Sequence, residues 1–155
     1  MQTLYTIFPA LVLVLTMTGS ALAQEITTPY FALSLPADWF MPKPVVEQDN
    51  VVFALFVNKK DSSVVTITVS PGTLSAREVA VMTTATLKNQ QGIESSEPVE
   101  KDGLYMTTFS KSGIRGISWY GSNGSHYAVT TVMSEQGPTL LRALKPVDSR
   151  LFPVF

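Results

Sequence analysis

Two dipeptides, Asp102-Gly103 and Asn123-Gly124, constrain the fold of this chain more than any other feature. Each lies between two runs of strand length. Each also carries the residue types that tolerate positive φ at both central positions of a type I′ turn. Such a turn reverses the chain within two residues, and its twist matches that of the strands it joins, so these runs fold as antiparallel hairpins. The runs are Ser95 to Glu100, Leu104 to Ser110, Ile114 to Ser122 and Ser125 to Val132. Read as a two-residue turn, Asn123-Gly124 pairs Tyr120 with Tyr127 and Trp119 with Ala128. The tyrosines then share one face of the sheet and the indole takes the other.

Upstream, Phe31, Leu33 and Leu35 alternate with Tyr30, Ala32 and Ser34, which predicts a strand that stops at Pro36. Pro36, Pro42 and Pro44 oppose regular pairing, so Trp39, Phe40 and Met41 are expected at the tip of a loop. Val51 to Val57 is apolar on both faces, the pattern of a strand inside a sheet covered from both sides. After a polar turn, Val65, Ile67 and Val69 alternate with Thr66 and Thr68. Ser75 and Glu78 have capping-box spacing ahead of a stretch free of Gly and Pro, predicting a helix over 76–90 that ends near Gly92. Its sheet-facing stripe is expected to be Val79, Met82, Thr83, Thr86 and Leu87. Thr139 to Leu144 reads as a short closing helix, followed by an apolar plug of Leu151, Phe152, Pro153 and Phe155.

The first 24 residues carry no Lys, Arg, Asp or Glu. The apolar run Ile7 to Leu15 and the closing Ala21-Leu22-Ala23 have the form of a secretory signal peptide, so residues 1–23 are expected to be removed. The remaining 132 residues suit one domain. With no second apolar run of that length, no stable membrane span is expected after cleavage. A net charge of −1 with no single-sign block gives nucleic acid nothing to grip. The chain has no cysteine, so disulfides, thiol chemistry and a lipid-anchoring cysteine are all excluded. Periplasm, or secretion, is the expected location.

These elements predict an α+β domain over residues 24–155: a mostly antiparallel sheet flanked by helices in an α/β/α sandwich. The segment Phe31-Ala-Leu-Ser-Leu-Pro36-Ala-Asp-Trp39, followed by a hairpin, one capped helix and a meander, resembles the PsbP-like superfold. That superfold is shared by a photosystem II extrinsic subunit, a Ran-binding nuclear import factor and bacterial envelope proteins. Its members mostly bind or assist other proteins, so the resemblance implies a non-enzymatic role and carries no site residue across.

Chemistry-bearing residues are sparse. His126 is the only histidine. Ser118, Ser122 and Ser125 lie near it in sequence, but no Gly-x-Ser-x-Gly elbow accompanies them, and a surface histidine beside a turn is the expectation. One histidine without cysteine or an Asp-x-Asp-x-Asp loop supplies no zinc or EF-hand ligand set, so no metal or cofactor is expected. Glu94, Glu97, Glu100 and Asp102 read as a solvated acidic edge. Gly113, Gly116, Gly121 and Gly124 lack phosphate-loop spacing. Gly116 inside a strand instead marks a bulge or a close approach. Asn123-Gly124-Ser125 fits a glycosylation sequon and is better explained by its turn.

The expected function is that of an exported, non-enzymatic accessory or binding protein that contacts an envelope protein. Phe40 and Met41 are the expected contact residues, beside Trp39, which is expected to fold back as a lid on the core. The alternative is a small-ligand carrier with an apolar, hydroxyl-lined pocket between the sheet and helix 76–90. A small hydrolase built on His126 is the third reading.

Overall fold

A computed structural model describes residues 24–90, 92–133 and 137–155. The expected signal peptide, residues 1–23, lies outside the described residues. The order of elements is β1 Gln24–Thr27, β2 Phe31–Leu35, β3 Trp39–Phe40, β4 Val46–Gln48, β5 Val51–Asn58, β6 Val64–Pro71 and α1 Ala76–Asn89. There follow β7 Ile93–Ser95, β8 Val99–Lys101, β9 Leu104–Lys111, β10 Ile114–Ser122, β11 His126–Met133, α2 Gly137–Leu141 and β12 Leu144–Pro146.

The strands form two antiparallel sheets. The larger has the order β3-β5-β6-β11-β10-β9-β7, with β4 also on β5 and β8 also on β9. The smaller has the order β1-β2-β12. This corrects the expected α+β sandwich: the fold is β-rich. Among the described residues its helices are one of 14 residues and one of 5, and a second sheet lies where a helical layer was expected. The reason lies in strands too short to show a period. β1 has 4 residues, and β12 is the tripeptide Leu144-Lys145-Pro146, which had been assigned in part to a closing helix.

The main core lies between the two sheets. Val52, Ala54, Phe56, Val65, Ile67, Val69, Ala128 and Val132 point from the large sheet toward Phe31, Leu33, Leu35, Leu140 and Phe152. Phe31 meets Phe152 edge-on at 5.7 Å, which seats the C-terminal plug. The plug crosses Gly121 so closely that a Cβ there would lie 2.5 Å from the carbonyl oxygens of Arg150 and Leu151. A smaller core on the opposite face joins Val79 and Ala80 of α1 to Tyr120, with Tyr105, Tyr127 and Val129 around them.

Helix α1 starts at the expected capping box: Ser75 Oγ accepts from Glu78 N–H, while the Glu78 carboxylate accepts from Ser75 N–H at 2.8 Å. Its buried stripe is Val79, Ala80 and Thr84, and Met82 is exposed. The buried stripe is thus rotated from the expected one toward Ala80 and Thr84, with Val79 and Ala80 packed on Tyr120.

Turns set the registers. Asp102 and Gly103 both have positive φ, as do Asp49-Asn50 and Ser112-Gly113, so three hairpins have the two-residue geometry. At Asn123-Gly124 only the glycine is positive, and β10 pairs with β11 as Ser122↔Tyr127, Tyr120↔Val129 and Trp119↔Thr130. The loop is longer than predicted because Asn123 Oδ1 accepts from the backbone N–H groups of Ser125 and His126, at 3.0 and 2.8 Å. The register moves by two residues, so every side chain keeps its predicted face.

Candidate functional site

Trp39 and Phe40 do not form a free tip. They are the short edge strand β3, paired with Asn58 and Val57 of β5. Alternation sends the two side chains to opposite faces. Trp39 is 4% exposed within the main core, whereas Phe40 is 38% exposed on the other side. Met41 is partly buried and packs on the core. The prolines limit this pairing to two residues without preventing it.

Phe40 belongs to a larger apolar surface that was not anticipated. Directly opposed residues share a face of a sheet, so Phe40 lies beside Val57, and Val46 lies beside Phe53. On β6 the same face continues through Val64, Thr66 and Thr68. Val46 and Phe53 are 48% and 39% exposed. α1 cannot cover them, because its contacts concentrate on β7, β9 and β10 and thin out at β11. β5 was expected to be covered on both faces and is covered on one. The signal was already in the sequence, in a strand apolar on both sides, but the sequence does not say over which strands the helix will lie.

A second feature runs from the uncovered part of this face into the part under α1. Thr66, Thr131, Ser118 and Thr107 are directly opposed on β6, β11, β10 and β9, forming a row of hydroxyls across four strands. Ser118 and Thr131 hydrogen-bond each other at 2.8 Å, and Thr107 pairs with the Tyr120 hydroxyl at 3.0 Å. Beside this row, between α1 and the sheet, lies a pocket of about 500 Å³ lined by Leu87, Ile93, Phe109, Met133, Ser118 and Thr131, among others. Phe109 is held there by its contact with Gly116, where a Cβ would lie 2.2 Å from the ring. The close approach expected at Gly116 is thus an aromatic ring laid across the strand.

On the other face, Glu94, Ser110, Arg115 and Ile117 line an open groove of about 610 Å³ beside Pro138. The expected acidic edge is exposed, and it is partly engaged: Lys88 pairs with Glu97, and Tyr105 donates to Glu100. Among the described residues no cluster of three or more potential ligands could hold a metal ion.

His126 lies against Tyr30, with ring centroids 5.0 Å apart, and its Nδ1 is 3.1 Å from Ser125 Oγ. A hydrolytic dyad needs an acid to orient the second ring nitrogen. Among the described residues none is bonded to it. Ser118 and Ser122 bond elsewhere, to Thr131 and to the Leu74 carbonyl oxygen. The nearby carboxylate of Asp148 is committed to structure. It accepts from Asn123 Nδ2 at 3.0 Å and takes a two-point contact from Arg150, whose hydrogen bonds hold the carboxyl far below the usual carboxylate range.

Among the described residues no helix is long and apolar enough to cross a membrane. The chain matches no protein-family model and no curated protein.

Proposed function

We propose that this protein is an exported, non-enzymatic accessory domain of the periplasm that binds an envelope protein through the uncovered face of β3, β4, β5 and β6. The observation that carries this reading is β5. Its Phe53 and Val57, with Phe40 and Val46 alongside, form a contiguous apolar surface, and among the described residues no helix lies over it. Scattered exposed apolar side chains need no explanation, but a contiguous patch on one sheet face marks a surface that another molecule covers. Phe40 and Phe53 are the aromatic anchors, and the strands beneath them supply rigidity, so little side-chain entropy is lost on docking. The uncharged leader of residues 1–23 supports export. The resemblance of the Phe31 to Trp39 segment to the PsbP-like superfold supports a role in binding proteins.

The test compares the wild-type chain with the double variant Val46→Thr, Phe53→Thr, which keeps strand-forming residues and removes the apolar surface. Tagged proteins are cross-linked in cells, and their co-purifying proteins are quantified. The reading expects one envelope protein enriched with the wild type and reduced at least tenfold with the variant, both proteins melting at similar temperatures. An identical set of captured proteins would overturn it.

A further inference from the structure

The geometry points to the pocket beneath the end of α1 as a binding site for a monocarboxylate with a hydrocarbon body, such as a medium-chain fatty acid. The site is separate from the uncovered face of β5, and it rests on different observations. Its volume of about 500 Å³ falls in the range of small-molecule sites. The walls are hydrocarbon, from Leu87, Ile93, Phe109 and Met133.

The floor is polar yet satisfied. Ser118 is only 2% exposed, and its hydroxyl is bonded to that of Thr131. A hydrocarbon chain can lie on such a floor without orphaning a donor, which is the main cost of placing an apolar group over hydroxyls. One further hydroxyl, that of Thr84, is buried on the sheet-facing stripe of α1 with no hydrogen-bond partner. Thr84 sits between the two helix residues, Thr83 and Leu87, that line the pocket.

The rim decides the head group. Lys111 lines the pocket and is exposed, and its ammonium group makes no hydrogen bond or ion pair with the described residues. Its neighbours on the rim are Ser112 and Ile114, and among the described residues of the lining no carboxylate competes for the ammonium group. A carboxylate placed at the rim keeps part of its hydration and gains the cation. Deeper in the pocket it would lose its water with no charged partner.

This assignment predicts a preference of definite sign. An apolar slot with no cation favours an alcohol over the acid of the same chain length, because an unpaired carboxylate is costly to bury. A slot with Lys111 at its rim favours the acid.

The experiment is calorimetric titration of the purified protein at neutral pH with decanoate, below its micellar concentration, and with decan-1-ol. Decanoate is expected to bind with one-to-one stoichiometry and roughly threefold or more tighter than the alcohol, the size of a partly exposed ion pair. Lys111→Gln should abolish or reverse that preference while leaving alcohol binding unchanged. Thr83→Trp, which fills the pocket from α1, should remove saturable binding of both probes, with its thermal melt showing that the fold is intact. Failure of decanoate to saturate the wild-type protein would overturn the proposal. So would a wild-type preference for the alcohol, or a preference for the acid that survives Lys111→Gln.

Discussion

At the scale of single residues, alternation divides Trp39 from its neighbour Phe40. The indole fills the main core, and the phenyl ring stands on the uncovered face. Trp39→Ala is therefore expected to destabilise the domain by about 3–5 kcal/mol, the range for emptying a buried aromatic site. Phe40→Ser should cost no more than about 1 kcal/mol, because the ring is already partly in water. Urea titration followed by circular dichroism measures both variants on one signal, and Trp119 fluorescence adds a second probe for the first, where it is the one indole left. Equal losses would show that the two rings share one environment. Met41 is partly buried and packs against the core.

At the scale of elements, the C-terminal segment is held to the β10–β11 loop by Asp148, which joins Asn123 to Arg150. Its folded-state pKa is depressed below the ordinary 3.8, so its stabilisation is complete above that value and is lost as pH falls below it toward the folded-state pKa. Asp148→Asn should lower the Tm at pH 7 and narrow the difference in Tm between pH 7 and pH 3. Thermal melts at the two pH values test this, and an unchanged difference would contradict it. The same loop shows how far the sequence could be read. Asp102-Gly103 announced its hairpin correctly, because glycine and aspartate themselves supply the positive φ values. Asn123 instead spent its side chain on two backbone N–H groups, a choice between two local hydrogen-bond patterns that the dipeptide alone does not decide. Helix α1 is legible from Ser75 and Glu78, but which of its faces is buried depends on packing against Tyr120, which the sequence alone does not reveal. β1 and β12 were illegible as strands because each pairs with β2 over only a few residues.

At the scale of the whole molecule, a nine-stranded sheet is sealed on one face by a three-stranded sheet and the C-terminal plug, and half-sealed on the other by a single helix. The sequence pattern of β5 predicts cover on both faces, but α1 reaches only as far as β11, which leaves the Phe53 face of β5 open. The open half carries Phe40, Val46 and Phe53, and the covered half ends in the apolar pocket below Leu87. The central claim, that the open half docks an envelope protein, is tested most directly by site-specific photo-crosslinking in living cells. A photoreactive amino acid replaces Phe53 in one strain and the exposed Met82 of α1 in another. The prediction is one discrete adduct of higher mass from position 53, containing an envelope protein, and none from position 82. No adduct from position 53, the same adduct from both positions, or an adduct containing only a second copy of this chain would contradict it.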